Sequence, residues 1–415
     1  MRNTPCNKSR RLGSWQISAL CLVSLAAALT WQKTGVAAAC PICGQPTITL
    51  SERYARADVA LLVEWVSAKP AQGKTPESTT YEIVQVQRDS ATTYKPRTRL
   101  SIERYIEGKS GNLYFLLGRK DDELGIRWDE PALPVSETSF QYVIQAPSPE
   151  AAAETRLAYF VKFLEFADLA IANDAFAEFV NAPTKDIVAI ADKLPRDKLR
   201  RWLANPATPV NRQAGYGLML GLCGGPDDAR FLSQRIINAD PERPFGLDGL
   251  TFGYLLLAGE EGLTMIEKSR LANPRVADGD LYPAIKAIEY YWSSGNGRIP
   301  KARLQAAMQL LLDRPALAET AITTLARWKD WSVQARLMQL YGTKDYDVES
   351  TKKVIIGYMI ASTKDIPKAS PANDAPVNDR DSPPRHVVVG LKNLEELRQR
   401  EPKLVVEAEK FFYLK

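Results

Sequence analysis

The sequence predicts an α+β protein in which a small closed β-sheet domain precedes an α-helical domain built from repeats. Three observations lead to this prediction. A basic and then apolar segment opens the chain. Apolar and polar residues then alternate with a period of two over much of the stretch from Val59 to Ala146, as half-buried strands require. After Pro147 the apolar residues recur every three or four positions, which is the spacing of amphipathic helices.

Residues 1–39 have the features of a secretory signal peptide. Basic residues precede an apolar run from Ile17 to Trp31, which is shorter than the roughly 20 apolar residues that a membrane span needs. Alanines at positions 37 to 39 match the small residues that signal peptidase recognises, so we expect cleavage between Ala39 and Cys40. The mature chain is then secreted or periplasmic and has no membrane span.

A lipoprotein signal is the alternative interpretation, because Cys40 could carry an acyl chain at the start of the mature protein. Lipoprotein signals carry a large aliphatic residue three positions before that cysteine, whereas this sequence has Ala37. The polar stretch QKTG also separates Cys40 from the apolar run. These departures favour cleavage without lipid anchoring.

The leader also explains the basic charge of the chain. The formal net charge is +5, and residues 1–39 contain five basic residues and no acidic one. Subtracting five from +5 leaves a mature chain near neutrality, without the basic field that nucleic-acid binding requires. We therefore predict no nucleic-acid partner. A hydrophobic content of 45% predicts one large or two ordinary folded domains.

Residues 40–146 are predicted to form the small β domain. Thr49 and Glu52 match a capping box that would begin a short helix. In the second strand the alternation changes phase between Ile83 and Val84, which a β-bulge would explain. The predicted strands are Val59–Val66, Thr79–Gln87, Thr98–Ile106, Asn112–Gly118 and a run that closes the sheet, Phe140–Ala146.

Residues 147–362 are predicted to form the helical domain. Glycine and proline mark helix ends at Gly224, Gly225 and Pro226, and a second break is expected between Gly259 and Gly262. Helix pairs joined by short turns recur at about 40 residues, which is similar to HEAT-type repeats. A Pro-rich linker or loop is predicted over residues 363–389. A C-terminal helical segment over residues 390–415 would cap the array or contact a partner.

The start of the mature chain, CPICGQPTITLSERYARADVALLVEWVSAKP followed by TTYEIVQVQ, resembles the netrin-like domain of tissue inhibitors of metalloproteinases. Through NDAFAEFVNAP from Asn173 and LARWKDW from Leu325, the mature chain also resembles secreted bacterial proteins of unassigned activity with a Cys-started β domain and HEAT-like helices. The resemblance implies an OB/netrin-like β-barrel followed by a HEAT-like solenoid. For an inhibitor it implies that the α-amine and carbonyl of Cys40 chelate a protease metal. The inhibitors have Cys-x-Cys, whereas this chain has Cys-x-x-Cys.

Cys40 and Cys43 admit three interpretations. A structural zinc site needs four ligands, and beyond these two weak candidates the mature chain offers only Cys223 and His386, in unrelated segments. A redox couple would lie between a strand and a helix of a βαβ unit, which the pattern lacks. The oxidising compartment and the short spacing favour a disulfide between Cys40 and Cys43 and leave Cys223 as a free thiol.

No catalytic residue, cofactor or metal is predicted, and the chain is expected not to be an enzyme. His386 is the only histidine and lies in the predicted linker, so we expect a solvated loop residue rather than a general base. The acidic pairs at positions 227–228 and 260–261 stand where helices are expected to begin, where acids complement the helix dipole. The sequence has no complete Gly-x-x-x-x-Gly-Lys-Ser/Thr motif for phosphate binding.

Two functions remain. We expect a non-catalytic binding or scaffolding protein whose helical surface contacts a protein or a cell-envelope polymer. The alternative is an inhibitor-like or metal- or ligand-binding module centred on Cys40 and Cys43. The predicted interaction residues are Arg327, Trp328 and Trp331, because two tryptophans beside an arginine on one helical face are typical of interface hot spots. Burial of both tryptophans in the core is the competing interpretation.

Overall fold

The computed structural model describes residues 40, 41, 43–123, 125–129, 132–240, 246–366 and 383–412. The predicted signal peptide, with Ala39 at its cleavage site, lies outside these residues. The described chain is a mixed α/β structure in which an antiparallel sheet near its N-terminus is followed by many helices. Thr49 caps the first helix, α1 (Leu50–Arg56), and Glu52 completes the predicted capping box. No helix within the described ranges is long and apolar enough to cross a membrane.

The sheet is open, and the closed barrel-like sheet expected from the sequence is not formed. Its strands are β1 (Val59–Lys69), β2 (Ser78–Asp89), β3 (Arg99–Ile102), β4 (Leu113–Asp121), β5 (Gly125–Trp128) and β6 (Leu133–Val135). The strand order is β3-β2-β1-β4-β5, and β6 pairs with the first residues of β4. Among the described strands β3 pairs with neither β5 nor β6. The edge strands are only three or four residues long, which is too short to complete a barrel around two central strands of 11 and 12 residues.

The predicted bulge in β2 is confirmed. Leu62 pairs with Gln85, and the next residue of β1, Val63, pairs with Ile83, so the register skips Val84. Val84 is 46% exposed, whereas Ile83 is buried. The extra residue therefore explains why the alternation of apolar residues changes phase at this point.

The predicted fifth strand, Phe140–Ala146, is wrong, because this stretch belongs to helix α2 (Glu137–Gln145). Ser136 caps the helix by accepting a hydrogen bond from the amide of Ser139. Phe140 and Val143 are three positions apart and both buried, which fits a helix. The ring of Phe140 packs edge-on against Phe115 of β4 at 5.2 Å between centroids. Helix α2 therefore covers the sheet instead of extending it.

The two faces of the sheet bury different cores. Leu61 and Leu116 belong to a small core on one face. Leu62 and Phe115 point to the other face and belong to a larger cluster that extends through the helices to Ala408. The sheet and the helices therefore share one main hydrophobic core.

More helices follow α2 along the described chain. They are α3 (Ala153–Phe160), α4 (Leu169–Asn181), α5 (Thr184–Ala189), α6 (Arg196–Ala204), α7 (Val210–Cys223), α8 (Pro226–Ile237), α9 (Leu247–Ile266), α10 (Tyr282–Ser294), α11 (Lys301–Gln309), α12 (Pro315–Arg327), α13 (Gln334–Leu340), α14 (Glu349–Lys364), α15 (Arg385–Arg400) and α16 (Pro402–Phe412). Gly224 caps α7, and Pro226 is the first residue of α8, as predicted. At Gly259 the backbone has a φ of 59°, which interrupts α9 at the expected break.

The C-terminal region corrects one prediction. Helix α15 begins at Arg385, so His386 is a helical residue and not part of a loop. Its ring Nε2 lies 2.8 Å from the carbonyl oxygen of Asp365, and the ring stacks on Trp331 at 6.0 Å. The expected linker therefore ends before position 385, and residues 367–382 lie outside the described chain. Leu397 of α15 and Val405 of α16 are fully buried in the main core.

Helices α7 and α9 approach each other through glycine. A Cβ atom at Gly253 of α9 would collide with the carbonyl oxygen of Gly217 on α7, and one at Gly221 would collide with Gly253 itself. A methyl group cannot fit at these positions unless the two helices move apart. The close approach of the two backbones therefore depends on these glycines.

Substitution of Gly253 tests this packing. We expect Gly253→Ala to lower the free energy of unfolding by about 2 kcal/mol or more, because overpacking forces the helices apart. Gly357 in the middle of α14 is the matched control, since a Cβ atom there meets no atom within 4 Å. Gly357→Ala should be neutral or stabilising by about 0.5–1 kcal/mol. Urea denaturation followed by circular dichroism measures both, and equal effects of the two variants would contradict the glycine contact.

Candidate functional site

Residues 43–51, which we call the strap, lie on one face of helix α4. The amide of Thr47 donates to Oδ1 of Asn181 at 3.2 Å, and Nδ2 of Asn181 donates to the carbonyl of Thr47 at 2.7 Å. The amide of Leu50 donates to Oδ1 of Asp174 at 2.7 Å. Thus the start of the described chain is held by side chains more than 120 positions away in the sequence.

A second carboxylate of α4 completes this contact. Glu178 is 2% exposed and accepts hydrogen bonds from the hydroxyl of Ser51 at 2.5 Å and from Nη2 of Arg156 at 3.2 Å. Asp174, Glu178 and Asn181 are four and three positions apart, which places them on one side of the helix. All three belong to the NDAFAEFVNAP segment.

Asp174 has the most perturbed carboxyl group of this contact. Its pKa is raised from 3.8 to about 6, mainly because the group is buried; hydrogen bonds from Leu50 and Tyr142 oppose this rise, and the nearby carboxylates of Glu178 and Glu52 add to it. The hydroxyl of Tyr142 donates to Oδ2 of Asp174 at 2.8 Å. Burial also raises the pKa of Tyr142, so that its hydroxyl stays protonated as a donor.

A cavity of about 350 Å³, which we call the junction groove, opens beside Asp174. Its walls come from the strap, from β6 and from helices α2 and α4. Most of the lining is apolar, and Asn173 and Asp174 bring polar groups to it; the apolar lining includes Leu50, Leu133, Val135, Val143 and Ile171. An apolar cavity with a few convergent polar groups and a perturbed carboxyl is the usual form of a binding site.

The chemistry of the groove fits binding better than catalysis. Ser51, which follows the lining residue Leu50, is buried, and its hydroxyl donates a hydrogen bond to Glu178. Both oxygens of Asp174 already accept hydrogen bonds. Within the described ranges no group of three or more His, Cys, Asp or Glu side chains is arranged to hold a metal ion.

The cysteines are arranged as the sequence predicts. Cys40 and Cys43 are bonded to each other, and both are buried in the main core. The amide of Cys43 donates to the carbonyl of Cys40 at 3.1 Å, which closes the turn. Cys223 is free, and burial raises the pKa of its thiol to about 11.

The two tryptophans of the predicted interaction patch do not share a helical face. Helix α12 ends at Arg327, and the chain turns at Lys329, whose φ is 56°. Trp328 stacks on Trp292 at 4.3 Å between ring centroids. Trp331 points elsewhere, and its Nε1 donates to Oδ2 of Asp365 at 2.7 Å.

Of the three predicted residues only Arg327 has a mostly exposed side chain, and it forms an ion pair with Glu289. Trp328 and Trp331 both pack against the main core. Their location supports the competing interpretation that they contribute to stability.

Sequence reasoning missed the polar residues of α4. Asp174, Glu178 and Asn181 repeat at helical spacing inside a segment that also contains buried Ile171 and Phe179. Polar residues that lie close to the apolar face of a helix need buried partners, and this signal could have identified them.

Comparison with known proteins adds no assignment: no protein-family model, curated protein or solved structure matches this chain.

The raised pKa of Asp174 predicts a pH-dependent stability. The folded protein binds the proton of the Asp174 carboxyl group more tightly than the unfolded chain does. The contribution of this protonated carboxyl to the free energy of unfolding is therefore fully present below pH 3.8 and is lost as the pH rises through about 6. The stability difference between the wild type and Asp174→Asn should therefore fall by up to about 3 kcal/mol across this range. Chemical denaturation of both proteins at several pH values measures the difference, in which other titrating groups cancel.

Tyr142→Phe provides a second comparison. This substitution removes a hydrogen bond that favours the charged form of Asp174. We therefore expect the pH-dependent loss of stability that is due to Asp174 to occur at higher pH in Tyr142→Phe than in the wild type. If the difference in free energy of unfolding between the wild type and Asp174→Asn stays constant with pH, the raised pKa of Asp174 is contradicted.

Proposed function

We propose that this protein is a non-catalytic binding or scaffolding protein that acts outside the cytoplasm, in the periplasm or cell envelope or after secretion. The pattern of residues 1–39 and the Cys40–Cys43 disulfide support an oxidising, extracytoplasmic location. The succession of helices after the sheet supports a HEAT-like array. The junction groove is the observation that carries the proposal, because it combines an apolar wall with a carboxyl group at its base.

The partner that fits this groove is a protein segment with an apolar side chain and a neighbouring lysine or arginine. Apolar residues would contact Leu133, Val135 and Ile171. A cationic group beside Asp174 would offset the repulsion among Asp174, Glu178 and Glu52.

The inhibitor-like alternative finds no support in the geometry of Cys40. A metal chelate needs the amine and carbonyl of this residue at the surface. Cys40 is 1% exposed, and its carbonyl accepts a hydrogen bond from Cys43. We therefore place the binding site in the groove and not at the cysteine turn.

A pair of matched variants tests the groove. Ala170 is an exposed residue at the second position of α4 and lines the groove, whereas Ala302 is an exposed residue at the second position of α11. A photo-crosslinking residue at position 170 should capture a defined protein partner from the native envelope, and one at position 302 should not. The captured segment should contain an apolar residue beside lysine or arginine.

Affinity for the identified segment then decides the proposal. Ala170→Lys should weaken binding at least about tenfold, because it fills the groove and repels the cation, whereas Ala302→Lys should not. Arg327→Glu tests the patch predicted from the sequence. Loss of binding in Arg327→Glu with full binding by Ala170→Lys would overturn the groove and favour the helical surface near Arg327.

A further inference from the structure

A second cavity, of about 390 Å³, lies on the other side of the strap. We call it the arginine pocket, because Arg53, Arg56 and Arg119 line it together with Ile48 and Asp129. Thr47 of the strap lines the junction groove, and the next residue, Ile48, lines the arginine pocket. The two cavities are therefore separate sites with different chemistry.

Regular secondary structure brings the arginines together. Arg53 and Arg56 are three positions apart on α1 and so lie on one side of that helix. Arg119 has the same strand parity as Phe115 and Leu117 of β4, which places it on the sheet face that also packs against α1. The helix and the strand thus direct cationic side chains into the same cavity.

A fourth arginine adds to this charge. In the β4–β5 pairing Arg119 stands directly opposite Arg127, which is exposed. Like charges directly opposite each other on one sheet face are destabilising. Among the described residues that line the pocket, three are arginines and one, Asp129, is an acid.

The ion pairs of Arg56 and Arg119 are long. Nη2 of Arg119 lies 3.4 Å from Oδ1 of Asp129, and Nη2 of Arg56 lies 3.9 Å from Oε2 of Glu52. By contrast, the buried Arg212 pairs with Glu165 at 2.6 Å, within the range of a strong charge-assisted bond. The side chains of Arg56 and Arg119 are 58% and 48% exposed, so an anion can reach both from solvent.

We infer that the arginine pocket binds a phosphate group, either as free phosphate or as part of a phosphate-bearing polymer. The planar guanidinium group donates two parallel hydrogen bonds to a phosphate. A phosphate dianion would accept hydrogen bonds from Arg56 and Arg119 and would offset the repulsion between Arg119 and Arg127. The site is independent of the junction groove and of the partner proposed for it.

Titration calorimetry of inorganic phosphate into the mature protein at low ionic strength tests the site. We expect binding at one site, and Arg119→Gln and Arg56→Gln should each weaken it about tenfold, the value of one charge-assisted hydrogen bond. Arg230→Gln is the matched control, because Arg230 is an exposed arginine of α8 that pairs with Asp227 outside the pocket. It should bind phosphate like the wild type.

A parallel titration with short-chain polyphosphate separates the two sources of phosphate. Tighter binding of the chain than of inorganic phosphate, lost in both pocket variants, identifies a polymer, whereas equal affinity identifies free phosphate. The inference is overturned if neither ligand binds or if binding is unchanged in both pocket variants. It is also overturned if Arg230→Gln weakens binding as much as the pocket variants do.

Discussion

The hydrogen bonds between the strap and helix α4 are the constraint on which the rest of the structure depends. Three side chains of α4, Asp174, Glu178 and Asn181, bind the main chain or hydroxyl groups of the strap. Asp174 accepts a hydrogen bond from the amide of Leu50, the first residue of α1, and so stabilises the start of α1. This contact fixes helices α1 and α4 relative to each other. The junction groove is the space beside the contact.

The contact between the strap and α4 also buries two carboxyl groups, and the electrostatic cost of this burial favours the binding of a cationic partner. Burying two carboxyl groups close together is unfavourable unless each is paired or hydrogen-bonded. Glu178 has Arg156 as its cationic partner, whereas the contacts of Asp174 are neutral donors. A cationic partner group would therefore act most strongly at Asp174. On the other side of the strap arginines converge instead, and Arg53, Arg56 and Arg119 line the arginine pocket together with Asp129.

The sequence predicted the local features of the fold well and the tertiary ones poorly. The capping box at Thr49, the bulge at Val84 and the glycine cap at Gly224 depend on neighbouring residues, and the structure confirms all three. The apolar run from Phe140 is predicted to be a strand, because a short apolar run fits both a strand and a helix. The cap at Ser136 is the feature that favours the helix. The open sheet was missed because closure depends on the lengths of edge strands.

The candidate sites could not be predicted from spacing alone. The strap and α4 are joined across more than 120 residues, and a sequence does not state such pairings. The central claim is that this pairing stabilises the fold, and a double-mutant cycle of Ser51→Ala and Glu178→Ala tests it most directly. The free energies of unfolding should show a coupling of about 1.5–3 kcal/mol, the value of a hydrogen bond to a charged group. Effects that add to within about 0.5 kcal/mol would contradict it.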